Sequence, residues 1–95
     1  MPDKEYYNLK GTVQLIGDAV HIPRNGIPDL HKRVLTITTA DGQTLFPEIR
    51  NGNLNQLDTQ KIMEGTNVEI KFLFQGSEKN GKRYNNIYIH EITRI

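Results

Sequence analysis

Ninety-five residues with a formal net charge of +1, 36% of them hydrophobic and 24% charged, suit one small soluble domain spanning residues 1–95. That balance argues against a disordered chain, and no apolar run approaches the roughly 20 residues that a membrane helix needs. Cysteine is absent, which removes disulfides and thiolate metal sites and makes a reducing cytoplasm the simplest location.

The opening "MPDKEYYNLK" is polar and has no apolar h-region, so it does not read as a secretory signal. In "NLKGTVQLIG", Leu9, Gly11, Val13 and Leu15 alternate with Lys10, Thr12 and Gln14, a first strand with one buried face. Residues 18–32, "DAVHIPRNGIPDLHK", contain two prolines and Asn25-Gly26 and read as a long loop. "RVLTITTA", the Asp41-Gly42 turn and "QTLFPEIR" make residues 33–50 a hairpin. Pro47 lacks an amide donor, so its arm should lie at an edge or end early.

"NLNQLDTQKIMEG" changes period: Leu54, Leu57, Ile62 and Met63 form a short helical stripe, with Gly65 as its stop. "TNVEIKFLFQG" returns to alternation, and Val68, Ile70, Phe72 and Phe74 are expected in the core. Asn80-Gly81 then turns the chain into "KRYNNIYIHEITRI". Here Ile87 and Ile89 point inward while Asn86, Tyr88 and His90 look outward. Ile92 falls on the outward parity, which predicts a bend or bulge before it.

The order is strand, long loop, hairpin, short helix, hairpin. Five strands with one helix between the third and fourth is the order of an all-β OB-fold, a partly open Greek-key barrel. The expected core unites Val13, Leu35, Ile37, Ile70, Phe72 and Ile89, with Leu57 capping one end. An open five-strand antiparallel sheet with a packed helix is the structural alternative.

Catalytic signatures are missing. Ser77 is the only serine and has no Gly-x-Ser-x-Gly frame. His21, His31 and His90 lack metal-ligand spacing, and no glycine loop cradles a phosphate. The reading is therefore a non-enzyme with neither cofactor nor metal.

Binding is the remaining class. Positive charge collects in residues 19–33, with three basic side chains against one acidic, and in 71–95, with five against two. Residues 34–70 carry the acidic excess. In an OB-fold the loops joining strands 1–2 and 4–5, here 18–32 and 76–82, flank a groove for oligonucleotides or oligosaccharides. Single-strand binders combine such a basic groove with aromatic faces. The candidates are Arg33, Phe46, Lys79, Lys82, Arg83, Tyr84, Tyr88 and His90. Each also has a plain structural reading: a solvated hairpin tip for the basic residues, core for Phe46 and Tyr84, and a rim position for His90.

"VQLIGDA", "MEGTNVEIKFLFQG" and "NGKRYNNIYIHEI" together resemble, in order, the opening strand, post-helix segment and closing turn of bacterial single-stranded-DNA-binding proteins. The resemblance implies binding of single-stranded DNA, with RNA as the alternative strand, by a homo-oligomer serving DNA replication. It carries over to Lys82, Arg83 and Tyr84 in the turn and to polar positions of the closing strand. The chain departs from the family in having no tryptophan, no acidic tail with an apolar tip, and an atypical 32–50 hairpin. A specialised primosomal or mobile-element relative fits better than a housekeeping one. The competing function is an OB-type protein-interaction module without nucleic-acid affinity.

Overall fold

The computed structural model describes residues 4–95; residues 1–3 of the polar N-terminal stretch lie outside it. The chain runs β1 (Tyr7–Ile16), β2 (Val20–Ile22), β3 (Leu30–Thr38), β4 (Thr44–Leu45) and β5 (Glu48–Arg50). A 3-10 turn (Asn51–Leu54), helix α1 (Asn55–Thr59), β6 (Asn67–Lys79) and β7 (Lys82–Arg94) follow. The sheet order β1-β6-β7-β5-β3 returns to β1 through a β1–β3 pairing, so the sheet closes into a ring. With β4 and β5 as two pieces of one arm, this is the expected five-stranded OB barrel with its helix between the third and fourth strands.

Alternation delivers the core as expected. Val13, Leu35, Ile37, Ile70, Phe72 and Ile89 share one buried cluster with Ile49, Val68 and Ile92, and Leu57 and Ile62 join it from the helical segment. Gly11 is required where β1 crosses β3: a Cβ there would lie 2.6 Å from Ile37 Cγ2 and 2.9 Å from the Thr38 carbonyl oxygen.

Several expectations need correction, each for a local reason. Residues 18–32 are not one loop, because β2 pairs with Leu30–Lys32 and leaves only residues 23–29 as the tip. Residues 76–82 are likewise the end of a long β6–β7 ribbon, paired as far as Lys79↔Lys82. Only Asn80 (φ 53°) and Gly81 (φ 77°) turn, the left-handed pair that a tight hairpin needs. The arm containing Pro47 does break, at Phe46-Pro47, although β5 then pairs on both sides.

The helix is shorter than its apolar stripe. It stops at Thr59, before the left-handed Lys61, and Met63 is exposed. Leu15 is exposed rather than inward because the β1–β3 register shifts between Val13 and Leu15. Ile16, opposite Leu35, packs against the core in its place. Phe74, expected in the core, is 54% exposed because the ribbon has already left the barrel there. The bulge expected before Ile92 is present: Lys71 pairs with Glu91 and Phe72 with Ile89, leaving His90 as the extra residue. Ile92 is thereby buried.

Candidate nucleic-acid interface

Residues directly opposite in a ladder share a face, as do residues two apart along a strand. The outer side of the β6–β7 ribbon therefore carries Lys79 with Lys82, Ser77 with Tyr84, Gln75 with Asn86, and Leu73 with Tyr88. Tyr88 also lies beside Glu48 of β5, and β5 in turn sets Glu48 against Val34 and Arg50 against Lys32 of β3. One continuous outer face thus runs from β3 over β5 to the ribbon tip.

At the tip Lys79 and Lys82 stand directly opposite each other, and neither forms an ion pair with another described residue. Like charges so placed cost stability, and an anion between them would relieve that cost. Tyr84 is 48% exposed and Phe46 64% exposed. Phe46 stands in the β4–β5 link, two residues before Glu48, while the adjacent Pro47 is buried. Of the two earlier readings for Phe46 and Tyr84, core is excluded.

Lower on the face lies a cluster that inspection of the sequence missed. Glu48 accepts from Lys32 at 2.8 Å and from Arg50 at 3.2 Å. Arg50 also donates to the Tyr88 hydroxyl at 3.2 Å, and its guanidinium carbon sits 4.2 Å from the Tyr88 ring centroid. Tyr88 is outward as expected, yet half-buried, with Arg50 over its ring. The Glu48-Ile49-Arg50 spacing was a usable signal, because two residues apart on a strand means one face. Lys32 could be added only once the β3–β5 register was known.

The remaining candidates stand elsewhere. Arg83 is on the ribbon's opposite side with its partner Glu78, at 3.3 Å. Arg33 is also off the outer face and donates to the Gly17 carbonyl at 3.1 Å, tying β3 to the β1–β2 link. His90, the bulge residue, packs on Tyr6 with ring centroids 4.7 Å apart.

In the β2–β3 finger, His21 and His31 are opposite each other and stacked at 4.5 Å. His21 Nε2 lies 2.8 Å from Asp29, and the Arg24 amide donates to the same carboxylate. Those hydrogen bonds, His21 first, hold the Asp29 carboxyl below its ordinary 3.8. Among the described residues no three ligating side chains converge on a metal position, and no helix is long and apolar enough to cross a membrane.

No family model matches the sequence, and no characterised protein matches it by sequence at a significant level. Solved structures do match its fold. The second OB-fold domain of replication protein A from Methanococcus maripaludis superimposes with a TM-score of 0.65 at 12% identity, over 93% of this chain and 81% of that one. Mitochondrial single-stranded DNA binding protein Rim1 from S. cerevisiae gives 0.63 at 13% identity, over 98% and 97%. The dimeric N-terminal domain of PriB from Thermoanaerobacter tencongensis gives 0.55 at 13% identity, over 95% and 94%. The ring of strands, the helix between its third and fourth arms and these likenesses agree: the chain has the OB-fold.

Proposed function

We propose that this protein binds single-stranded nucleic acid, DNA before RNA, along the outer face of β3, β5 and the β6–β7 ribbon, with little sequence preference. The observation that carries the reading is the placement of exposed Tyr84 on one face with the opposed pair Lys79 and Lys82, with Phe46 also exposed in the β4–β5 link. Rings can stack any base, and ammonium groups hold the backbone. Lys79, Lys82, Tyr84 and Phe46 are the principal contacts. Tyr88 acts with Arg50, and His90 contributes from the margin, whereas Arg33 and Arg83 lie off this face and are engaged by the Gly17 carbonyl and Glu78. The role is binding rather than catalysis, in the cytoplasm and in a replication setting. A homo-oligomer is part of the proposal, supported by the dimeric state named for the PriB domain.

A second reading rests on Leu15, Val20 and Val34, aliphatic side chains that are 51%, 39% and 36% exposed on or beside β3. Such a row suits a protein partner. Titrating the purified protein with a single strand and with the matching duplex, at two salt concentrations, separates the two. Binding that prefers the single strand and weakens steeply with salt supports the first reading. A protein partner retained at high salt, without oligonucleotide affinity, supports the second.

A further inference from the structure

A cleft of about 270 Å³ opens where the N-terminal segment crosses β6 and β7 beside Arg50. Its size falls just under the usual ~300–1,000 Å³ of small-molecule sites, enough for one flat ring system and too small for a run of stacked bases. Two contacting pairs line it: Tyr6 with His90, their rings tilted by 31°, and Arg50 over Tyr88. Asn53 and Gln75 bring carboxamides to the same cleft, and Lys4 brings an ammonium group. Glu48 is the one acidic side chain of the lining, and Lys32 and Arg50 already compensate it.

Two features here lack an internal purpose. The Arg50 Nε–H is the one buried side-chain donor without a partner among the described residues, and such groups cost free energy until an acceptor arrives. Among the described residues the Gln75 side chain makes no hydrogen bond, and Asn86 donates to its backbone carbonyl. Asn53, in contrast, is held by Ile89 and Gln56 and is fixed in place.

We infer that this cleft takes a single unstacked nucleotide and discriminates among bases. Carboxamides offer both donor and acceptor to a base edge. A base that cannot match them covers these polar groups without pairing them, a strong basis for selectivity between similar ligands. Arg50 and Lys4 supply positive charge for the phosphate. The inference rests on the single-strand reading for its biological ligand and adds to it: the open face grips any strand, and the cleft prefers particular bases.

The four deoxynucleoside monophosphates, titrated separately against the full chain while its amide spectrum is followed, test the cleft without requiring strand binding. The side-chain amides of Gln75 and Asn53 should shift, with at least about a fivefold spread in affinity among the four bases, in keeping with bidentate base-edge contacts. Gln75→Ala alters an exposed side chain and should keep the wild-type fold while collapsing that spread. Tyr6→Leu should weaken all four nucleotides together. Equal affinities in the wild type, or a spread unchanged in Gln75→Ala, would overturn the inference even if single strands bind well. Selective nucleotide binding without preference for a single strand over duplex would instead sink the strand reading and leave the cleft standing.

Discussion

The barrel has two outer faces made by the same alternation, and they differ in how their charges are spent. Over β1, β6 and the lower part of β7, Lys10 stands opposite Glu69 and Lys71 opposite Glu91, with Asn8 beside Lys71 and Thr93 beside Glu69. Unlike charges are neighbours across the rungs of that face, although none of them closes to ion-pair distance with another described residue. Over β3, β5 and the ribbon, Lys79 opposes Lys82, Phe46 and Tyr84 are open, and Arg50 keeps one donor unused. Net charge near zero therefore conceals one surface that sets unlike charges opposite each other and one whose tip sets like charges opposite each other.

The largest effect should come from removing the core that both faces share. Phe72 is 7% exposed, and Phe72→Ala should cost roughly 3–5 kcal/mol of stability in chemical denaturation. Gly11→Ala should also destabilise markedly, since the new Cβ would meet Ile37 and the Thr38 carbonyl at less than contact distance. A thermal midpoint unchanged in both variants would mean that the β1–β3 closure is wrong.

Next come changes confined to one face. Phe46→Ala and Tyr84→Ala should each cost about 1–3 kcal/mol of single-strand affinity with little loss of stability. The double variant Lys79→Ala/Lys82→Ala should weaken binding and flatten the salt slope by about 0.7 per lost phosphate contact. Its matched control, Lys10→Ala/Lys71→Ala, removes the same charge from the ladder. Equal losses of slope from the two doubles would erase the distinction between the faces. Arg83→Ala should do less than Lys82→Ala, because Arg83 faces away and already has Glu78.

The smallest effect concerns the β2–β3 finger. Its bound form of Asp29 is the carboxylate, and the folded carboxyl titrates below its unfolded value. The contribution is therefore present above the ordinary 3.8 and is lost as pH falls through the lower folded value. Amide exchange in residues 23–29 should accelerate at that acid end, and Asp29→Asn should show the faster exchange already at neutral pH. Exchange unaffected by the substitution would remove this anchor.

Much of the fold was legible because period two survives in a short chain. Val13, Leu35, Ile37, Ile70, Phe72 and Ile89 meet as their alternation requires. What alternation cannot show is where it is interrupted. The shift after Val13 turned Leu15 outward, and the extra residue His90 restored Ile92 to the core. Phe74 has a core-like pattern, but pattern does not reveal where a ribbon leaves its barrel. The candidate face was half legible. Basic residues beside aromatics marked the ribbon tip, whereas Lys32, Glu48 and Arg50 come together only through strand pairing. By the same pairing, adjacent Lys82 and Arg83 separate onto opposite sides.

The most direct test of the difference between the faces is an amide-spectrum titration with a single-stranded oligonucleotide of about 20 nucleotides at two salt concentrations. The account predicts shifts concentrated at Lys32, Phe46, Arg50 and Lys79 to Tyr84, smaller at high salt, with Lys10, Glu69, Lys71 and Glu91 unmoved. Shifts centred on the Lys10–Glu69 ladder, or an identical response to duplex of the same sequence, would contradict it.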